Sequence, residues 1–151
     1  MNENLLTKIL VENLESGQVK KIVKNKINNS SINYYREIGD GSFRADIFIT
    51  LTKKLKKKTD LIAIEVKIKD WKQGLYQAWR YNSFAEKSFL AIYKKFSKGI
   101  DIKMFEEYNV GLIIFDEKNI VVKNIPKNNS FKEQSYSIKL RNNLLSKTCN
   151  C

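Results

Sequence analysis

The sequence predicts a single α/β domain built on a mixed central β-sheet flanked by helices. Three features carry that expectation. A chain of 151 residues is long enough for one well-filled hydrophobic core and short for two. Beyond a first β-hairpin, segments of strand-like and helix-like periodicity alternate, which is the pattern of an α/β fold. The stretch Leu61-Ile62-Ala63-Ile64-Glu65-Val66-Lys67-Ile68 is apolar on both faces over most of its length, as a strand in the middle of a covered sheet has to be.

Leu6, Ile9, Leu10 and Leu14 recur at helical spacing, so the chain from Glu3 to Glu15 reads as an amphipathic helix. Ser16-Gly17 interrupts it, and Val19, Ile22, Val23 and Ile27 resume a helical stripe that the cluster Asn28-Asn29-Ser30-Ser31 ends. Ile32 to Ile38 reads as a strand, Gly39-Asp40-Gly41-Ser42 as a turn, and Phe43 to Leu51 as the returning strand of a hairpin. The run Lys53-Lys54-Leu55-Lys56-Lys57-Lys58 is too charged for a core strand and fits the exposed tip between two strands. After the central strand, Trp71, Leu75, Ala78 and Trp79 fall on one helical face and read as core. Gln73, Gln77, Arg80 and Tyr81 fall on another, so Asp70 to Phe84 is a helix. Phe89 to Tyr93 is a short strand, Asp101 to Tyr108 a short helix and Val110 to Phe115 a buried strand. Asp116-Glu117-Lys118-Asn119 then turns the chain into Ile120 to Ile125. From Asn128 the sequence is polar until Leu140, Leu144 and Leu145, which predict a last, weak helix. Without a repeat or a linker, residues 1–151 read as one domain.

Apolar residues at 42%, charged residues at 29%, one proline and six glycines describe a globular chain. No apolar run is long enough to cross a bilayer and the first residues lack a signal-peptide pattern, so a cytoplasmic protein with no membrane partner is expected. Cys149 and Cys151 stand two positions apart, where a strain-free disulfide is geometrically difficult. The chain has no histidine, which excludes histidine-ligated zinc fingers, histidine-containing triads and histidine-based nuclease mechanisms. Hydrolysis would have to run on carboxylates, lysine and a metal. The net charge of +12 suits a polyanionic partner, because lysines that neutralise phosphates release condensed counterions. Lysine supplies 24 of the 28 basic residues, and together with abundant asparagine and isoleucine this is also what an A/T-rich coding sequence imposes. Charge alone does not choose between the two.

Alternation along the central strand puts Ala63, Glu65 and Lys67 on one face. A carboxylate and an ammonium therefore point together from a strand whose interior would charge several kcal/mol for either one unpaired. They either pair with each other at an exposed strand end or share a polar cleft with a cation. Asp46 lies on the preceding strand, directly before Ile47-Phe48-Ile49, and a hairpin returning through the lysine tip could bring it beside Glu65. Two carboxylates on adjacent strands are what Mg²⁺ takes, together with a backbone carbonyl and waters. Lys67 can orient a water or balance charge on a phosphoryl oxygen.

Arg44-Ala45-Asp46, then Ile64-Glu65-Val66-Lys67, then Gln73-Gly74-Leu75-Tyr76-Gln77-Ala78-Trp79-Arg80-Tyr81 resembles the PD-(D/E)XK, or restriction-endonuclease-like, nuclease superfamily over the central half of the chain. Alanine instead of proline precedes Asp46. The resemblance implies a restriction-endonuclease-like core and Mg²⁺-dependent hydrolysis of DNA, with Mn²⁺ as a substitute. It implies that Asp46, Glu65 and the Val66 carbonyl hold the metal and that Lys67 is catalytic. The pair Gln77 and Tyr81 resembles the additional motif of the RecB-like branch, which adds Gln77 to the catalytic set. Glu3-Asn4-Leu5-Leu6-Thr7 resembles the first-helix start of such nucleases, making Glu3 a metal ligand with Glu12 as fallback. On a helical wheel Glu3 falls in the sector facing the sheet and Glu12 outside it.

The expected nucleic-acid contacts are Arg44, Lys53, Lys54, Lys56, Lys57, Lys58, Lys69, Gln73, Arg80 and Tyr81. For Arg44 and Arg80 a structural ion pair is the alternative, and for the lysine tip a solvated edge guard. A homodimer is expected through the C-terminal segment with Leu140, Leu144 and Leu145, since a two-fold axis places two sites on opposite strands. The rival functions are a non-cleaving nucleic-acid-binding module on the same fold and a scaffold whose basic surface reflects codon usage. Restriction, repair and mobile-element processing fit the sequence equally.

Overall fold

A computed structural model describes residues 1–23, 30–40, 43–55, 58–131 and 135–148. Lys56, Lys57, Gly41, Ser42, the Asn28-Asn29 pair and both cysteines lie outside the described residues. Helix α1 (Glu3–Asn13) is capped by Asn2, whose side chain accepts from Leu5 N at 2.9 Å, and it buries Leu6 and Leu10. The expected break at Ser16-Gly17 is a π-turn over Leu14–Gln18 with a kink at Gly17, whose φ of 109° glycine adopts without steric cost. The short α2 (Lys20–Val23) continues the stripe through Ile22 and Val23.

The strands are β1 (Ser30–Arg36), β2 (Gly39–Asp40), β3 (Phe43–Arg44), β4 (Ile47–Lys53), β5 (Lys58–Lys67), β6 (Lys87–Tyr93), β7 (Gly111–Phe115) and β8 (Ile120–Asn124). Helices α3 (Trp71–Arg80) and α4 (Ile102–Tyr108) separate β5 from β6 and β6 from β7, and α5 (Ser135–Thr148) follows the sheet. Six strands form one mixed sheet in the order β1-β4-β5-β6-β7-β8. It is antiparallel at β1–β4, β4–β5 and β7–β8 and parallel at β5–β6 and β6–β7.

The predicted first hairpin forms with a different tip. Its ladder runs from Ser30↔Lys53 to Arg36↔Ile47, and Phe43-Arg44 leaves it to pair with Gly39-Asp40 as a small separate ribbon. Two local causes account for this. Glu37 takes a left-handed φ of 55° and its N–H bonds to Asp46 O at 3.1 Å, which closes the end of the ladder. Gly39 lies so close to its partner strand that a Cβ there would stand 2.3 Å from the Phe43 carbonyl oxygen, so the ribbon needs glycine.

Helices cover both faces of the sheet. Ile62, Ile64 and Val66 of β5 pack with Leu6, Leu10 and Ile22 under α1 and α2. On the opposite face Phe48, Leu61 and Ala63 meet Phe84, Leu140 and Leu144 under α5, while Leu90, Leu112 and Phe105 meet Leu75 and Ala78 under α3 and α4. Among the described residues no helix is long and apolar enough to cross a membrane.

The C-terminal segment, expected to carry a dimer contact, lies on its own sheet. Leu140 and Leu144 are buried against their own sheet, because the layer over Phe48 and Phe84 needs a cover. Arg141 pins the helix there. It donates to Phe84 O at 2.8 Å, to Thr59 O at 2.7 Å and to the Glu86 carboxylate, which in turn accepts from Leu61 N at 2.7 Å. Breaking a buried pair strands its charge. Arg141→Met should therefore lower stability by about 3–5 kcal/mol in urea denaturation, and Arg141→Met with Glu86→Gln should recover much of it. Equal midpoints for wild type and Arg141→Met would show that α5 is held by apolar packing alone.

Candidate active site

Strands β5, β6 and β7 run parallel, so Lys67, Tyr93 and Phe115 end at the same edge of the sheet, where open α/β sheets present their functional groups. The β4–β5 ladder stops at the pair Ile47↔Ile64. One residue before it the chain bends at Asp46, whose Oδ2 accepts the Val66 N–H at 2.7 Å. A carboxylate thus takes the place of the next ladder bond and is fixed beside β5. Glu65 points from the same strand end into the layer under α3 and is 6% exposed. Lys67 Nζ stands 3.7 Å from Glu65 Oε1 and 4.0 Å from Glu3 Oε1. The fold therefore brings together Asp46, Glu65, Lys67 and, from the first turn of α1, Glu3.

Helix α3 closes the site along one stripe. Asp70 caps it by accepting from Gln73 N at 3.1 Å. Gly74, Gln77 and Tyr81 follow at spacings of three and four and share a face. A Cβ at Gly74 would meet the Leu90 side chain at 2.6 Å and Lys67 Cγ at 2.7 Å, so glycine lets the helix lie directly on the lysine stem. Tyr81 corrects an expectation. Expected among the nucleic-acid contacts, it is 4% exposed, and its hydroxyl lies 2.8 Å from both Glu65 Oε2 and Arg44 O. Gln77 Oε1 is a buried oxygen with no hydrogen-bond partner, the one such side-chain atom among the described residues. An unmet buried acceptor costs about 1–3 kcal/mol unless a water or ligand supplies the donor.

Burial and then the nearby Asp46 charge push the Glu65 carboxyl up to about 7, against the lowering influence of Tyr81 and Lys67. Burial likewise raises Asp46, while the Val66 N–H and Lys67 draw it down. Burial and Glu65 keep the Tyr81 phenol protonated. One phenolic proton serves two acceptors. A carbonyl only accepts, so with Glu65 protonated the chain Glu65 to Tyr81 to Arg44 O satisfies every group.

Glu3, Asp46 and Glu65 act electrostatically on one another with Lys67 as the ammonium among them, an excess of negative charge that a divalent cation would balance. Asp46, Glu65 and the Val66 carbonyl are the oxygen donors suited to hold it. Among the described residues no group of three or more acidic, cysteine or histidine side chains is placed to hold a metal ion. Glu3 approaches Lys67, and Glu12 is exposed about 13 Å further along α1.

The remaining expected contacts divide by position. Lys69 and Gln73 are exposed at the site end. Arg44 Nη2 is 3.4 Å from Glu37 Oε2, an exposed ion pair, and the Arg80 guanidinium lies 4.8 Å over the Phe43 ring. Lys53, Lys54 and Lys58 sit at the opposite end of the β4–β5 hairpin, about 24 Å from Asp46 at the rise of an extended strand. Trp71 stacks on Phe105 as a core residue does, whereas Trp79 is largely exposed. Lys8 and Arg36, not singled out in the sequence, line a cleft of about 530 Å³ next to Glu3 with Asn4, Leu5 and Glu37.

No protein-family model matches the chain, and comparison with curated proteins finds no match. Among solved structures, a protein of unknown function from Silicibacter pomeroyi superimposes with a TM-score of 0.60 at 12% identity, over 98% of this chain and 87% of that one. At that identity the likeness is one of fold.

The folded protein holds the Glu65 proton more tightly than the unfolded chain, whose carboxyl titrates near 4.5. The stability this contributes is complete below pH 4.5 and is lost as the pH rises through about 7. In the absence of divalent cations, wild type should lose stability relative to Glu65→Gln across that window in urea denaturation. A difference that does not change with pH would mean that Glu65 titrates as it does in the unfolded chain.

Proposed function

We propose that this chain is a divalent-metal-dependent nuclease that hydrolyses phosphodiester bonds in DNA, built on a restriction-endonuclease-like core. The observation that carries the reading is the convergence of Asp46, Glu65 and Lys67 at one end of the central strand β5, with Tyr81 bonded to Glu65 and Gln77 on the same helical stripe as Gly74 and Tyr81. Two partly desolvated carboxylates and one ammonium suit metal-assisted attack on phosphorus. When bound, Mg²⁺ or Mn²⁺ supplies positive charge against the phosphodiester and acidifies water. Asp46, held by the Val66 N–H, and Glu65, held by Tyr81, present oxygens in fixed directions. Lys67, braced against Gly74, donates to the phosphoryl oxygen as negative charge grows there, or orients the attacking water. Gln77 offers an acceptor for a water hydrogen.

The test is a panel of labelled DNAs incubated with Mg²⁺, Mn²⁺ or EDTA. Asp46→Asn, Glu65→Gln and Lys67→Met preserve shape and the acceptor for Val66 N, and each should cut cleavage by about a hundredfold or more while leaving the far-ultraviolet circular dichroism unchanged. Full cleavage by any two of the three would sink the assignment. Binding of DNA without cutting in every metal would instead favour the non-cleaving module.

Position along the hairpin makes a second prediction. Lys69→Ser at the site end should lower the slope of log affinity against log salt by about one, whereas Ser at Lys53, Lys54 and Lys58 should leave single-turnover cleavage as it is. A loss of cleavage rate from the distant tip would contradict a site confined to the Lys67 end.

A further inference from the structure

On the side of α3 away from Glu65 lies a groove that the proposed reaction does not use. It is a cavity of about 320 Å³ between α3 and α4, lined by Lys72, Leu75, Tyr76, Trp79, Met104 and Tyr108. Tyr76, Trp79 and Tyr108 are 59%, 44% and 45% exposed. Their rings form a chain, with centroids 5.8 Å apart from Tyr76 to Trp79 and 6.3 Å apart from Trp79 to Tyr108. Contiguous aromatic surface left in water marks a binding face.

We propose that this groove stacks the unpaired bases of single-stranded DNA, with Trp79 as the platform. Charge favours that occupant. Lys72 lines the groove itself, α3 carries no carboxylate from Trp71 to Arg80 while α4 carries Lys103 with Glu106 and Glu107, and the whole chain is at +12. Aromatic rings interleaved with cations are how proteins hold single strands without reading sequence, since every base has a π-face. Placement favours it as well. The helix that presents Tyr76 and Trp79 outward holds Tyr81 against Glu65, so a strand crossing its width of about 10 Å carries only a few nucleotides between groove and cut. The inference rests on Asp46, Glu65 and Lys67 being the cutting site. Given that, it names the substrate as DNA that is single-stranded within a few nucleotides of the cut.

Tryptophan fluorescence in EDTA tests binding apart from cutting. Titration with oligothymidine should quench wild type. Trp79→Leu should remove the quench and weaken single-strand affinity roughly tenfold or more. Tyr76→Ala, at the more exposed ring, should weaken it while Trp79 still reports, and Trp71 is a control because it is stacked on Phe105. Absence of quenching, or equal affinity in both variants, overturns the groove whether or not the protein cuts. Trp79-dependent binding by a protein that cuts nothing with Mg²⁺ upholds the groove and removes the nuclease reading. A dimer that Trp79→Leu dissociates in light scattering, with single-strand affinity unchanged, assigns the groove to a second copy and overturns the proposal.

Discussion

A carboxyl group taken out of water costs several kcal/mol if it ionises without a partner, and β5 carries one, Glu65, into the layer between the sheet and α3. Its surroundings are arranged around that cost. Tyr81 reaches one oxygen, Lys67 approaches the other, and the lysine fits there because position 74 has no side chain. Asp46 occupies the neighbouring strand end while capping a backbone N–H that would otherwise lose its ladder bond. Removing Glu65 would leave the tyrosine hydroxyl, the ammonium and the glycine without a common purpose. This is the ordering expected of a preorganised polar cluster, in which each member's geometry is fixed by another.

The parts of the fold set by local periodicity could be read from the sequence. A period of two placed Glu65 and Lys67 on one face, a period of 3.6 gave α3, and the hairpin arithmetic brought Asp46 alongside. What depended on long-range neighbours could not be read. Trp79 shares a helical face with Leu75, yet one is buried and the other is not, because α4 covers only part of that face. Tyr81 sits on the polar side of the wheel, and it is that stripe, with Gly74 against Lys67, which lies on the sheet. Arg141 meets main-chain carbonyls 57 and 82 residues away, contacts that leave no trace in spacing or composition. The leucines of α5 were visible, but which sheet they would cover was not.

Charge is also distributed by position along a single hairpin. Its turn carries lysines and its open end carries carboxylates, so the two groups are as far apart as the strand length permits. At the turn, lysines project into water. At the open end, the same residue type stands among acids, where it is held by contacts with Glu3 and Glu65. One amino acid thus serves solubility at one end and electrostatic compensation at the other, and only the topology distinguishes them.

The order of the main sheet, β1-β4-β5-β6-β7-β8, has a kinetic consequence. Apart from the small ribbon of β2 and β3, every strand pairs with the strand that follows it in the chain. No pairing waits for a distant segment to arrive, so the entropy lost in forming each ladder is that of closing one connection, and this grows only logarithmically with its length. Folding can spread outward from the β4–β5 hairpin by successive addition, with α3 and α4 laid down as β6 and β7 join. Sequential topology of this kind lowers contact order and raises the folding rate above that of sheets whose strands interleave. It also keeps brief the interval in which the apolar faces of β5, β6 and β7 are open to other chains.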